Sequence, residues 1–422
     1  MSLATEEYTR SPVPPDARGP ARRVFFIIAG TLCGLPVFVL STRIMQALGF
    51  WQGSLAIVCG TTVIAFLSGA TAFTGSYTGL NMALLAERIF GHLGARLVKI
   101  LICLSLTGWF GATAGLFEET ATSVLHLLSD IYVLPKLPAL LFGASIIAIS
   151  SLGVRGLSGL GRTVMPVVGL SLIFALFHDR QRLGDVFLLS PTHAMSCGQA
   201  VAAIIGSSIV GIIIQPDYAR FVDRPIRASV ATGSALGIVY PVIMIASAIP
   251  ALVQHHPDLV SSLAVSGFGA ASLAILLLSA WIDASACLYS GGLALANQLQ
   301  ARRLWPSVLA VGLVGLAIQL CGVGASYVHF LVFLGIALPP VAAIILIDGL
   351  AEIWRPASQR ASLRLNAGAF VSWILGSSMG ALAMATPWSV TGLPSLDAIA
   401  ATLVLELGRQ GLQVHRLREQ RG

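Results

Sequence analysis

The stretch SAWIDASACLYSGG, residues 279–292, places one carboxylate, Asp283, in a run from Leu259 to Ala301 that carries no other charged residue. Ser279 and Asp283 are four positions apart and share a helix face that Ala286 and Ser290 extend, so a small, polar stripe runs along an apolar segment. A lone carboxylate at mid-bilayer is costly unless paired, hydrated or protonated, and such residues mark ion paths. Ionised, Asp283 supplies a hard oxygen ligand and a countercharge for a cation. Held protonated by burial, it binds and releases a proton. A structural reading needs a basic partner instead, and the only candidates within apolar segments are Lys99 and Arg43.

The elements that must position this acid follow from composition. Of 422 residues, 56% are hydrophobic and 10% charged, far from the charged quarter of a soluble domain. A bilayer core takes about 20 apolar residues per helical span. Twelve such runs lie near 24–44, 54–73, 97–117, 137–153, 163–178, 199–215, 228–252, 267–292, 305–322, 327–349, 366–385 and 393–408. Lipid offers no partner to bare backbone groups, and long runs without alternation are helical rather than barrel-like. The expected fold class is an all-α membrane protein of twelve transmembrane helices, residues 24–408, between tails at 1–23 and 409–422. Residues 1–23 are polar and proline-rich, without the apolar core and cleavage site of a secretory signal.

The net charge of +7 is explained by placement rather than by nucleic acid. With alternating spans, 21 of the 25 Lys and Arg fall on one side and its edges; Arg43, Lys136, Arg180 and Arg182 remain for the other. That bias sets the orientation, with both termini cytoplasmic, and the expected location is a bacterial-type inner membrane. The six cysteines show no paired metal spacing and read as packing residues. No phosphate-binding loop or HExxH is present, and no strand-to-helix turn that could carry a nucleophile elbow, which leaves ATP-driven transport and hydrolysis without support.

Two spans read as interrupted. CGLP at 33–36 sets Gly34 beside Pro36, which cannot donate a backbone hydrogen bond; GSSIVG at 206–211 is followed by Pro216. Interruptions opening each half point to inverted repeats, here 24–178 and 199–349, followed by two helices at 366–408, although Gly and Pro are common in membrane helices generally. The segment TGSYTGLNMALLAERIFG, 74–91, has the spacing of a short helix at the interface.

With SPVPPDARG at 11–19, TGL and LLAERIFG within 78–91, TGWFG at 107–111, PDYARF at 216–221, ACLYSGGLALAN at 286–297 and FLGIALPPVAAIILID at 333–348, the chain resembles the nucleobase:cation symporters, in particular their cytosine permease branch. The resemblance implies a secondary transporter with a 5+5 inverted-repeat core around a midplane site. There a planar base stacks on aromatics from helices 3 and 6, and a cation sits between the helix 1 break and helix 8.

Carried over by position, Trp109 is the stacking aromatic, its face worth about 1–3 kcal/mol to a stacked base. Its alternatives are packing between helices or a place in an interface belt, and its depth midway along a span disfavours the belt. The helix 6 aromatic is replaced by Ser208, beside Ser207, which offers hydroxyls or merely close packing. Ser279 stands where the permease has Asn, and the two sodium-binding hydroxyl residues become Ile282 and Asp283. The break contributes carbonyls around Gly30, Cys33 and Gly34, so Gly30, Cys33 and Asp283 are the candidate Na⁺ ligands; Gly34 also borders the substrate. Thr113 either reaches the ligand or bonds back to its own helix. Glu118 and Glu119 read as solvated or vestibular, and Asp217 with Arg220 as an inner gate or headgroup charges. The implied activity is import of a cytosine-like heterocycle with Na⁺ or H⁺. No cofactor and no obligatory protein partner is implied beyond substrate and lipid bilayer. Alternatives are another small heterocycle, such as hydroxymethylpyrimidine or a hydantoin, or a receptor that binds without transporting.

Overall fold

A computed structural model describes residues 8–129, 134, 136–256, 259–321, 327–354, 364–386 and 388–419. The outermost parts of both expected tails and much of the 130–135 connection lie outside these. The described chain is helical throughout, apart from one isolated bridge between Gly19 and Val222. Seven of the described helices are long and apolar enough to cross a membrane, and Leu137–Ser150, Trp305–Leu320 and Ile336–Ala351 are shorter and apolar. Outward faces carry large apolar side chains such as Phe66, Leu170 and Val404.

The first interruption is where proline chemistry puts it. α1 (Arg22–Thr31) stops, residues 32–34 leave the helix, and α2 (Leu35–Thr78) resumes with Pro36 in its first turn. There the missing N–H costs nothing. The same proline denies the Leu32 carbonyl its donor four residues on. α2 turns at Gly49 (φ 76°, ψ 172°), and α3 (Met82–Ser129) turns at Gly91 (φ 75°), conformations that glycine tolerates. The helix expected within 74–91 is the part of α3 before Gly91.

Between α3 and α7 (Cys197–Ala219) come α4 (Leu137–Ser150), α5 (Gly153–His178) and α6 (Leu183–Phe187). α7 starts at a reciprocal capping box, Ser196 with Gln199 (3.2 and 2.8 Å). The interruption expected at GSSIVG is absent, and α7 is continuous. A helical glycine costs only about 1 kcal/mol, and a Cβ added to Gly206 or Gly211 would meet nothing within 4 Å. Those glycines leave space rather than bend the helix. Pro216, inside α7, strips the Ile212 carbonyl of its helical donor, and the Thr71 hydroxyl of α2 donates to it instead at 2.9 Å. One turn on, Gly75 lies flush on Pro216, where a Cβ would fall 2.5 Å from the proline Cα.

α8 (Pro225–Ser234) passes through a π turn at Ala235–Val239 into α9 (Tyr240–Val253). α10 (Leu259–Val265), α11 (Gly269–Gln298), α12 (Trp305–Leu320) and α13 (Tyr327–Trp354) follow. α14 (Ala367–Ala385) and α15 (Pro394–Glu419) complete the order, α15 staying helical past residue 408, where a tail was expected. Buried Asp348 and Glu406 share Arg409, which ties α13 to α15.

From Tyr8 on, the expected N-terminal tail is a docked strap. Val13 N–H donates to Gly79 O (2.8 Å), Gly19 N–H to Phe221 O (2.8 Å) and Asp223 N–H to Gly19 O (3.1 Å). The Asn81 and Asn297 carboxamides both donate to Thr9 O (3.1 and 3.3 Å), and Arg220 donates to Tyr8 O (2.8 Å). Helix ends leave backbone groups unpaired, and the strap is held largely by such groups at the ends of α2, α7 and α11. Gly79 is required there, because its φ of 70° strains any residue with a Cβ and a Cβ would stand 2.9 Å from the Val13 carbonyl oxygen of the strap.

Gly75→Ala forces the α2–α7 seam apart at backbone, and we expect it to destabilise the purified protein by about 1–3 kcal/mol. Thr71→Val orphans the Ile212 carbonyl and should cost about 1–3 kcal/mol. Thermal unfolding in detergent measures both, and wild-type melting in either variant would refute the seam.

Candidate functional site

A cavity of about 550 Å³ lies between α1, α2, α3, α7 and α11, with Tyr240 of α9 on its wall. Met384, Pro394 and Ser395 border it at one end and Tyr218 at the other. Tyr218 belongs to a sealed layer: its ring stacks on Tyr289 (5.9 Å, 27°), and its hydroxyl donates to Ala286 O (3.2 Å) while accepting from Ser290 (3.1 Å). Fully buried Arg220 donates to the Tyr289 hydroxyl (3.2 Å), and Asp217 accepts from Met82 N–H (2.8 Å). Asp217 and Arg220 therefore sit in the closure beneath the cavity, not among headgroups.

Asp283 and Trp109 meet on the wall. The indole Nε1–H donates to Asp283 Oδ2 at 3.2 Å. The Thr113 hydroxyl lies 3.5 Å from the same oxygen but is closer, at 3.0 Å, to its own helix at Trp109 O, so its one proton is mainly spent within α3. The helix 1 break faces the acid directly: a Cβ on Gly34 would stand 3.4 Å from Asp283 Cβ and 3.2 Å from Thr31 O. No Lys, Arg or His is among the described lining residues. Lys99 is held by Glu87 (2.7 Å) and Asn297 (2.8 Å), and Arg43 is exposed, so neither candidate basic partner reaches Asp283.

The other expected residues divide. Ser207 and Ser208 line the cavity with the Tyr240 phenol facing them; the Ser207 hydroxyl donates to Ile204 O (2.8 Å). Ser279 does not line it. It is fully buried and donates back to Leu276 O (3.2 Å). Gly30 packs between Gly161 and Ile282, which a Cβ would meet at 2.9 and 3.0 Å. Cys33 is buried with its thiol on Ala29 O (3.5 Å). Of the expected cation set, Gly34 and Asp283 come together, and the freed Leu32 carbonyl belongs to the same break. The Gly30 carbonyl, a candidate ligand, is taken by Cys33 N–H (3.0 Å), and the Cys33 thiol turns back to Ala29 O. Glu118 accepts from Gln319 (2.6 Å) and Lys136 N–H (2.8 Å), while Glu119 is exposed. Gln215, Ser68 and Tyr240 line the cavity without having been picked out in the sequence. The usable signal was the spacing of Gln215 from Ser208 and Gly211, which sets all three on one helix face.

A family model described as permease for cytosine/purines, uracil, thiamine, allantoin matches residues 12–398. The chain is 23% identical over 344 residues to the cytosine permease of Escherichia coli strain K12, covering 81% of this chain and 80% of that one. It is 23% identical over 337 residues to the hydantoin permease of Microbacterium maritypicum, covering 74% and 69%. In fold it is similar to Mhp1, a nucleobase-cation-symport-1 family transporter, in a closed conformation with bromovinylhydantoin bound (TM-score 0.81, 18% identity, 97% and 96% coverage). It is also similar to a Na⁺-coupled sialic acid symporter in a substrate-bound outward-open state (TM-score 0.68, 12% identity, 96% and 94% coverage).

Gly34→Val puts branched carbons against the Asp283 carboxylate, and overpacking of this kind costs about 1–3 kcal/mol. We expect a lowered melting temperature for Gly34→Val that Gly34→Ala largely avoids; equal melting of Val variant and wild type would place the two helices further apart.

Proposed function

Because the chain belongs to the nucleobase-cation-symport-1 family, the permeases for cytosine/purines, uracil, thiamine and allantoin, and is a transporter rather than an enzyme, we propose that it imports a small planar nitrogen heterocycle, a pyrimidine or related nucleobase, with Na⁺ or H⁺. The observation that carries this reading is the contact of Trp109 with Asp283 on one cavity wall, at the helix 1 break. The indole offers the ring face on which a heterocycle stacks. The carboxylate, with no basic partner among the described lining residues, is the group through which a cation or proton enters the account. Asp283 oxygens and the carbonyl freed by Pro36 suit a hard cation, and the carboxylate alone suits a proton.

In this reading the chain crosses the membrane twelve times, with inverted repeats at 24–178 and 199–349, helices at 366–385 and 393–408, and both termini cytoplasmic. The distribution of Lys and Arg supports that orientation. The strap and the Tyr218–Tyr289 layer then close the cytoplasmic side, and the end bordered by Met384, Pro394 and Ser395 faces outward. A cavity closed by buried side chains at one end and bordered by Met384, Pro394 and Ser395 at the other suits alternating access around a fixed site.

A second reading, a hydantoin or hydroxymethylpyrimidine in place of a nucleobase, is favoured by Ser208 at the helix 6 aromatic position and by the open space over Gly206 and Gly211. Uptake of labelled cytosine into proteoliposomes, competed by nucleobases, hydantoin and hydroxymethylpyrimidine, decides between them. Failure of every nucleobase to compete ends the first reading. Trp109→Ala should weaken binding of the accepted ligand by about 1–3 kcal/mol. Trp109→Phe, which keeps a ring face without the N–H, should retain most of it. Unchanged affinity in the alanine variant refutes stacking.

A further inference from the structure

Two polar atoms of the cavity wall are unmatched among the described residues. Ser68 of α2 is 1% exposed and Gln215 of α7 is 5% exposed, and both line the cavity. Ser68 Oγ and Gln215 Oε1 are enclosed without a hydrogen-bond partner among the described residues. Neighbouring wall groups are satisfied: Thr31 donates to Ile28 O (2.7 Å), Ser207 to Ile204 O (2.8 Å), Tyr218 to Ala286 O (3.2 Å) and Trp109 to Asp283 (3.2 Å). An enclosed amide oxygen without a donor costs stability that an apolar side chain of similar length would avoid. The fold therefore gains nothing from a glutamine here.

Its position is nonetheless tightly fixed. Pro216 follows immediately, Thr71 holds the Ile212 carbonyl, and Gly75 lies flush on the proline, so α7 has little freedom to turn Gln215 away. Gly211, one turn earlier on the same face, leaves the approach open. Gln215 lies three residues before Tyr218, near the sealed end of the cavity.

We propose that Gln215, with Ser68 on the facing helix as a second polar contact further along the same wall, is the specificity-determining contact for the substrate, taking the cis-amide edge of a planar heterocycle, an N–H beside a C=O. A carboxamide carries one acceptor oxygen and two N–H donors, so laid edge-on it returns both bonds of such an edge. The Ser68 hydroxyl adds a donor or acceptor to the ring's next polar atom. The substrate class is thus a lactam-bearing heterocycle held at its polar edge by α2 and α7. This inference rests on the transport reading above.

The test compares binding of uracil and 1,3-dimethyluracil, which has the same ring with its N–H groups methylated, to purified wild-type, Gln215→Met and Ser68→Ala proteins, together with the melting temperature of each without ligand. Wild type should prefer uracil. Gln215→Met should lose uracil affinity by roughly 10- to 100-fold, the scale of a lost bidentate pair, leave 1,3-dimethyluracil nearly unchanged, and melt at or above the wild-type temperature. Ser68→Ala should show the same pattern more weakly. An unchanged uracil preference in both variants, or a lowered melting temperature with equal loss of both ligands, overturns the inference while leaving the transport reading intact. Failure of wild type to bind uracil, cytosine or hydantoin overturns both.

Discussion

An acid set against a broken helix is the constraint on which the rest of this structure depends. Pro36 cannot continue the ladder of α1, so the chain leaves the helix at 32–34 and exposes backbone acceptors where a continuous helix would consume them. Asp283 lies against that break across Gly34, and Trp109 reaches it from α3. Three segments far apart in sequence are thereby tied at one point. The donor that meets the carboxylate is the Trp109 indole, and no Lys, Arg or His is among the described lining residues, so no fixed cation cancels a charge there. In the proposed cycle that leaves it open to an ion arriving from the cavity.

The sealed end is built differently, from the leftovers of helix termini. The strap from Tyr8 to Gly19 gives its backbone groups to the ends of α2, α7 and α11, and buried Arg220 links the strap to the tyrosine layer through Tyr8 O and the Tyr289 hydroxyl. Stretches that carried the family resemblance, SPVPPDARG, TGL, PDYARF and ACLYSGGLALAN, meet in this closure. They describe how one side of the bundle is shut more than what the cavity accepts. That is why a resemblance spread over most of the chain identifies the fold and family without fixing the substrate, which in the proposed reading is left to Trp109, Ser208, Gln215 and their neighbours.

Much of this was legible in the sequence wherever a residue's own chemistry decides the outcome. Apolar runs marked the helices, Pro36 with Gly34 marked the break, and a carboxylate in an uncharged run marked a residue of the cavity wall. GSSIVG misled because a glycine can serve bending or spacing, and only the room in front of it distinguishes the two. Ser279 shares a helix face with Asp283, yet face assignment says nothing of a hydroxyl that bonds back to Leu276 O. Gln215 was overlooked because a polar residue before Pro216 at a span's end reads as a boundary. The strap was invisible because its partners are backbone groups contributed by distant helix ends.

The central claim is tested most directly by accumulation of the accepted heterocycle in proteoliposomes under separately imposed Na⁺ and H⁺ gradients, comparing wild type with Asp283→Asn, which preserves an acceptor for the Trp109 indole. Wild type should accumulate the heterocycle uphill under one gradient, and the variant should only equilibrate it. Concentrative uptake surviving in Asp283→Asn under either gradient would contradict it.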